Sequence, residues 1–110
     1  MNNVYDIAHE LCRSLKETDQ YKNFVAAKKK VDANEGVKKM LDDFHVKNTE
    51  FQTKAIMTGG QDQALLEEIQ KLYSIVASDP LAAEYLQAEL SYSQVMAEIY
   101  QILGEAAEVA

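Results

Sequence analysis

Apolar positions recur along the chain at helical intervals, and polar punctuation divides them into five segments. Val4, Ile7, Ala8, Leu11 and Leu15 mark one face of a first helix, predicted over about residues 3–17. Asn3 stands where an N-cap belongs, with Asp6 near the positive end of the helix dipole. Thr18-Asp19 interrupts the pattern. A second helix to about Val31 should bury Tyr21, Phe24, Val25 and Val31, with Lys28, Lys29 and Lys30 opposing the negative end of its dipole. Asp32-Ala33-Asn34-Glu35 reads as an acidic cap with a glutamate three positions on. It opens a long third helix to about Thr58, whose stripe of Val37, Leu41, Phe44, Asn48, Phe51 and Ala55 follows a heptad rhythm. Asn48 either fixes register, as a polar seam residue does in coiled coils, or sits at the wet edge of the seam. Gly59-Gly60 ends that helix. A fourth, over about 61–77, carries Leu65, Ile69, Leu72 and Val76, and so short a link predicts an antiparallel αα-hairpin. Asp79 then caps a fifth helix with Pro80 in its first position, where a missing N–H costs nothing.

The fifth helix, predicted to about Glu105, has more apolar surface than one small chain can cover. Leu81, Tyr85, Ala88, Tyr92, Val95, Ile99 and Ile102 form one stripe, and Leu86, Leu90, Ala97 and Tyr100 lie on a different side. A surface helix needs an apolar face of only about 100°. A chain of this size buries roughly two-thirds of its unfolded surface, so covering both sides calls for a second subunit. The expectation is an all-α bundle of about five helices, one domain over 1–110, dimerising through long helices. Leu81, Tyr85, Leu86, Leu90, Tyr92, Val95 and Ile99 are the candidate dimer interface. The alternative is a monomer whose first two helices fold back over the second side.

Composition agrees with helices. The 110 residues include four glycines, one proline and one cysteine, too little turn material for a β-sandwich and no internal disulfide. The formal charge of −7 argues against a general phosphate-contact binder of nucleic acid. Residues 1–57 hold ten of the eleven Lys/Arg, whereas Lys71 stands alone against nine acids in the remainder. Lys28, Lys29, Lys30, Lys38 and Lys39 form the one concentrated basic surface, open to RNA, an acidic protein or an acidic partner helix. No run approaches the ~18 apolar residues of a membrane span, and the opening residues lack a signal-peptide pattern. The expected compartment is the cytoplasm.

Motifs for chemistry fail on geometry. Asp6–His9 and Asp42–His45 have the spacing of bundle metal ligands, but helical angles turn three of the four away from the apolar face, and only His45 nears the seam. His9-Glu10-Leu11-Cys12-Arg13 begins like a zinc-protease motif, with Arg13 where the second histidine belongs. Cys12 is expected to pack at the border of the first apolar stripe. Neither a nucleophile elbow nor a phosphate loop is present. No enzyme, metal site or cofactor is expected.

The opening Val4-Tyr5-Asp6-Ile7-Ala8 with Leu11 and Leu15, the stretch Lys39-Met40-Leu41-Asp42-Asp43-Phe44, and the segment from Asp79-Pro80-Leu81 to Ala88-Glu89 resemble the YheA/YmcA/YlbF-like family of small cytoplasmic proteins of Gram-positive bacteria. The resemblance implies an all-helical, dimer-forming protein, closest to the YheA-like branch. Better-known relatives are non-enzymatic regulators of competence, sporulation and biofilm formation in a complex linked to RNA processing. Some of them hold an iron–sulfur cluster through several cysteines. Cys12 is alone here, and a cluster takes four thiolates. The resulting expectation is a regulatory adaptor with an unidentified cytosolic protein partner, no membrane association and no direct nucleic-acid binding. The alternative is an RNA-processing accessory factor that recruits a nuclease through the basic surface.

Overall fold

A computed structural model describes residues 3–108. Among these it contains five helices and no strand: α1 (Val4–Lys16), α2 (Asp19–Asp32), α3 (Glu35–Thr58), α4 (Gln63–Ser78) and α5 (Pro80–Ala107). Their starts are set by side-chain oxygens that accept otherwise unpaired backbone N–H groups. Asn3 accepts from Asp6 N at 2.9 Å, and Thr18 Oγ1 from Tyr21 N at 3.2 Å. Asp79 Oδ1 accepts from both Leu81 N and Ala82 N, at 2.9 and 3.0 Å, with Pro80 at the first position as expected.

Two caps differ from the sequence reading. Asp32 is the last residue of α2, and α3 is capped by Asn34, which accepts from Val37 N at 3.1 Å. Helix α2 runs one residue further than expected, so the capping role passes to the next short polar side chain with extended backbone. Helix α4 begins two residues later than its apolar pattern suggests, because Asp62 accepts from Leu65 N at 3.0 Å.

The chain forms two compact units. The first comprises the residues up to Lys28 and those from Tyr85 onward, and the second comprises Lys29–Glu84.

The second unit is built on the α3–α4 hairpin. Gly59 adopts φ +72° and donates its N–H to Ala55 O at 2.9 Å, which closes α3 in a left-handed cap that favours glycine. Val37, Leu41 and Phe44 of α3 are buried, as are Leu65, Ile69 and Val76 of α4. Val31 and Ala82 are also buried in this unit. The remaining stripe residues, Asn48, Phe51, Ala55 and Leu72, are half-buried. Phe44 meets Tyr73 with ring centroids 5.9 Å apart.

In the first unit, aromatic side chains bind α2 to α5. Phe24 lies 5.6 Å from Tyr85 and stacks on Tyr92 at 5.7 Å, and Tyr21 meets Tyr92 edge-on at 5.5 Å. Such pairs add about 0.5–1.5 kcal/mol beyond the area they bury. Ala27 is buried beside this cluster in sequence, although the periodicity had singled out only larger neighbours.

Candidate interaction surface

Helix α5 shows two different faces within the first unit. Tyr85, Ala88, Tyr92, Val95 and Ile99 are half-buried, and the two tyrosines hold the α2 rings. On the other side Leu90 is 55% exposed and Tyr100 is 65% exposed. Ala97 is exposed and Leu86 half-buried. Of the seven residues proposed for an interface, Tyr85, Tyr92, Val95 and Ile99 therefore lie on the chain's own inner face. Leu86 and Leu90 lie on the outer one. Leu81 is half-buried in the second unit.

Helix α1 adds to the uncovered apolar surface. It has no fully buried residue. Leu11 and Leu15 are half-buried, whereas Val4 is 70% and Ile7 54% exposed. Cys12 corrects an expectation: it is exposed rather than packed at the border of this stripe. A border position is covered only where the stripe itself is deeply buried, and this stripe is not.

The lysines are exposed side chains on α2 and α3. Lys28 belongs to the first unit, and the other four to the second. Lys30 is engaged with Glu84 at 3.0 Å, which lowers the positive charge it offers to a partner. Further ion pairs brace the hairpin, Lys47–Glu68 at 2.9 Å and Lys54–Asp62 at 3.4 Å, while Lys54 also meets Glu50 of its own helix at 3.6 Å. The Glu68 carboxylate, hydrogen-bonded to Lys47 and attracting its charge, raises the lysine pKa. The Leu65 N–H holds the Asp62 pKa below its ordinary value, with help from Lys54.

Among the described residues no group of three or more His, Cys, Asp or Glu side chains is gathered as a metal would require. Asp6, His9 and Asp42 are exposed. His45 is half-buried with its ring 6.0 Å from Phe44. No described helix is long and apolar enough to cross a membrane.

Residues 4–108 match the family model described as control of competence regulator ComK, YlbF/YmcA. The chain belongs to the YlbF/YmcA family. Relatives of this YlbF/YmcA chain cover nearly its whole length. It is 37% identical to a UPF0342 protein of Caldicellulosiruptor saccharolyticus over 99% of this chain and 91% of that one. A Desulfitobacterium hafniense UPF0342 protein is 36% identical over 94% and 83%, and one from Staphylococcus haemolyticus is 35% identical over 92% and 89%. The family as described is regulatory.

Proposed function

We infer that this YlbF/YmcA-family chain is a non-enzymatic adaptor that works in the cytoplasm as a homodimer and presents helical surfaces to a protein partner. The observation that carries this reading is the uncovered apolar side of α5 together with the exposed start of α1. Isolated surface leucines are ordinary, but a contiguous apolar face marks an interaction site. The family's description as control of a competence regulator supports a regulatory role.

Light scattering should give twice the 12.4 kDa chain mass. A monomer at micromolar concentration would refute the dimer. Capture of a specific partner by the wild-type protein should be lost when the exposed apolar residues are replaced. A second reading, an accessory factor that brings a nuclease to RNA, draws on exposed Lys29, Lys38 and Lys39. It requires RNA binding that weakens with salt and falls on charge reversal at Lys28, Lys29 and Lys30.

A further inference from the structure

We propose that Met57, in the last turn of α3, is a reversible oxidation site: peroxide converts its thioether to a sulfoxide and makes the hairpin tip polar while the hairpin stays folded. Met57 and its neighbour Ile56 are 80% and 84% exposed, the two most exposed large apolar side chains among the described residues. Met40 and Met96 are half-buried, and Met1 lies outside the described residues. A methionine is oxidised as fast as the oxidant can reach its sulfur, so these positions are unequal and Met57 is the one open to solution. The site lies in the second unit. It does not rest on the adaptor reading, which draws on α1 and α5.

The chemistry needs only a peroxide as oxidant. The sulfur lone pair attacks one peroxide oxygen, an S–O bond forms and the O–O bond breaks. Sulfur gives up two electrons, and the departing hydroxide takes the proton from the transferred oxygen and leaves as water. A flexible apolar side chain becomes a polar, chiral one, and methionine sulfoxide reductases reverse the change, one enzyme for each epimer at sulfur. A leucine at this position would offer a similar apolar surface without the reactive sulfur.

The turn is held without the Met57 side chain. Gly59 N donates to Ala55 O at 2.9 Å, and Thr58 Oγ1 donates to Lys54 O at 2.7 Å while accepting from Gly60 N at 3.3 Å. Across the turn Lys54 meets Asp62, which caps α4. A sulfoxide at position 57 therefore enters water rather than a core and leaves these bonds in place. At Met40 or Met96 the same oxygen would be partly buried, where a polar group without a partner is costly. What oxidation changes at the tip is its surface: Ile56 loses its apolar neighbour and gains a strong hydrogen-bond acceptor beside it.

The test treats the full-length protein with hydrogen peroxide, using Cys12→Ser so that the exposed thiol does not consume oxidant. Cleavage after lysine puts Met40, Met57 and Met96 in different peptides, so mass spectrometry follows the added oxygen at each. Met57 should be oxidised several-fold faster than Met40 and Met96, at a rate close to that of free methionine in the same solution. The oxidised protein should keep its melting midpoint, elute earlier from a hydrophobic-interaction column, and return to its first elution position after treatment with both reductases. Met57→Leu should melt and elute like the untreated protein and show no early peroxide-dependent shift. Equal rates at the three methionines, or a slower one at Met57, would mean that the thioether is covered. A lowered melting midpoint at the stage when only Met57 is oxidised would mean that the hairpin depends on it. Either result overturns the proposal, as does an elution shift that persists in Met57→Leu.

Discussion

Asp62 joins cap and ion pair at one side chain, which makes the hairpin sensitive to acid. Its folded pKa lies below the ordinary carboxylate value because the charged form accepts the Leu65 N–H and meets Lys54. The stabilisation is therefore complete above the unfolded-state pKa and is lost as pH falls through the lower, folded value. Asn also caps helices but does not titrate. Between about pH 5 and pH 2, thermal melting of Asp62→Asn should fall less steeply than that of the wild type. Equal slopes would assign the acid sensitivity to other carboxylates. Lys47 has the opposite sign: its pKa is raised, so its contribution is whole below the ordinary lysine value and fades as pH climbs through the raised one. Leu41 is 2% exposed, and Leu41→Ala should cost about 2–5 kcal/mol in urea unfolding. A loss under 1 kcal/mol would mean the site collapses around the missing atoms. The apolar spacing identified Leu41 in advance. It could not identify Ala27 or Ala82, because alanine is as much at home on an exposed helix face as in a core.

Helices were the most legible level. Periodicity and punctuation located all five within a few residues, since each apolar stripe and each cap acts through neighbours in sequence. The departures are at the boundaries, where Asn34 and Asp62 compete with nearby polar residues for the capping role and geometry decides among them. The Asp-x-x-Leu spacing before α4 was a usable signal for Asp62. Asn34→Ala should destabilise the protein by about 1 kcal/mol, readable as a lower denaturation midpoint. At the hairpin turn the two glycines are predicted to differ. Gly59→Ala must hold a side chain in the left-handed region at φ +72° and should cost about 1 kcal/mol. Gly60 has no positive φ, so Gly60→Ala should leave the melting temperature nearly unchanged. Equal losses at the two positions would place the strain elsewhere.

For the whole molecule the decisive quantity is which apolar surface the chain keeps for itself. Leu90→Glu should abolish or greatly weaken dimerisation in light scattering, since a carboxylate buried without a partner costs several kcal/mol. It should leave monomer helicity intact, because Leu90 is already exposed in the single chain. Unchanged mass would put Leu90 in water within the assembly. Tyr92→Ala should instead destabilise the monomer, because its ring holds both Tyr21 and Phe24.

The chain's own order of residues determined the helices, their approximate ends, the hairpin, and the presence of two apolar sides on the last segment. Each follows from interactions a few positions apart or from simple periodicity. Only the tertiary structure decided that Tyr85 and Tyr92 turn toward α2 while Leu90 and Tyr100 stay bare. Both sides are apolar and helically spaced, so periodicity cannot rank them. What separates them is contact between residues more than sixty positions apart, such as Phe24 with Tyr92, where the stacking of rings fills one side and leaves the other exposed.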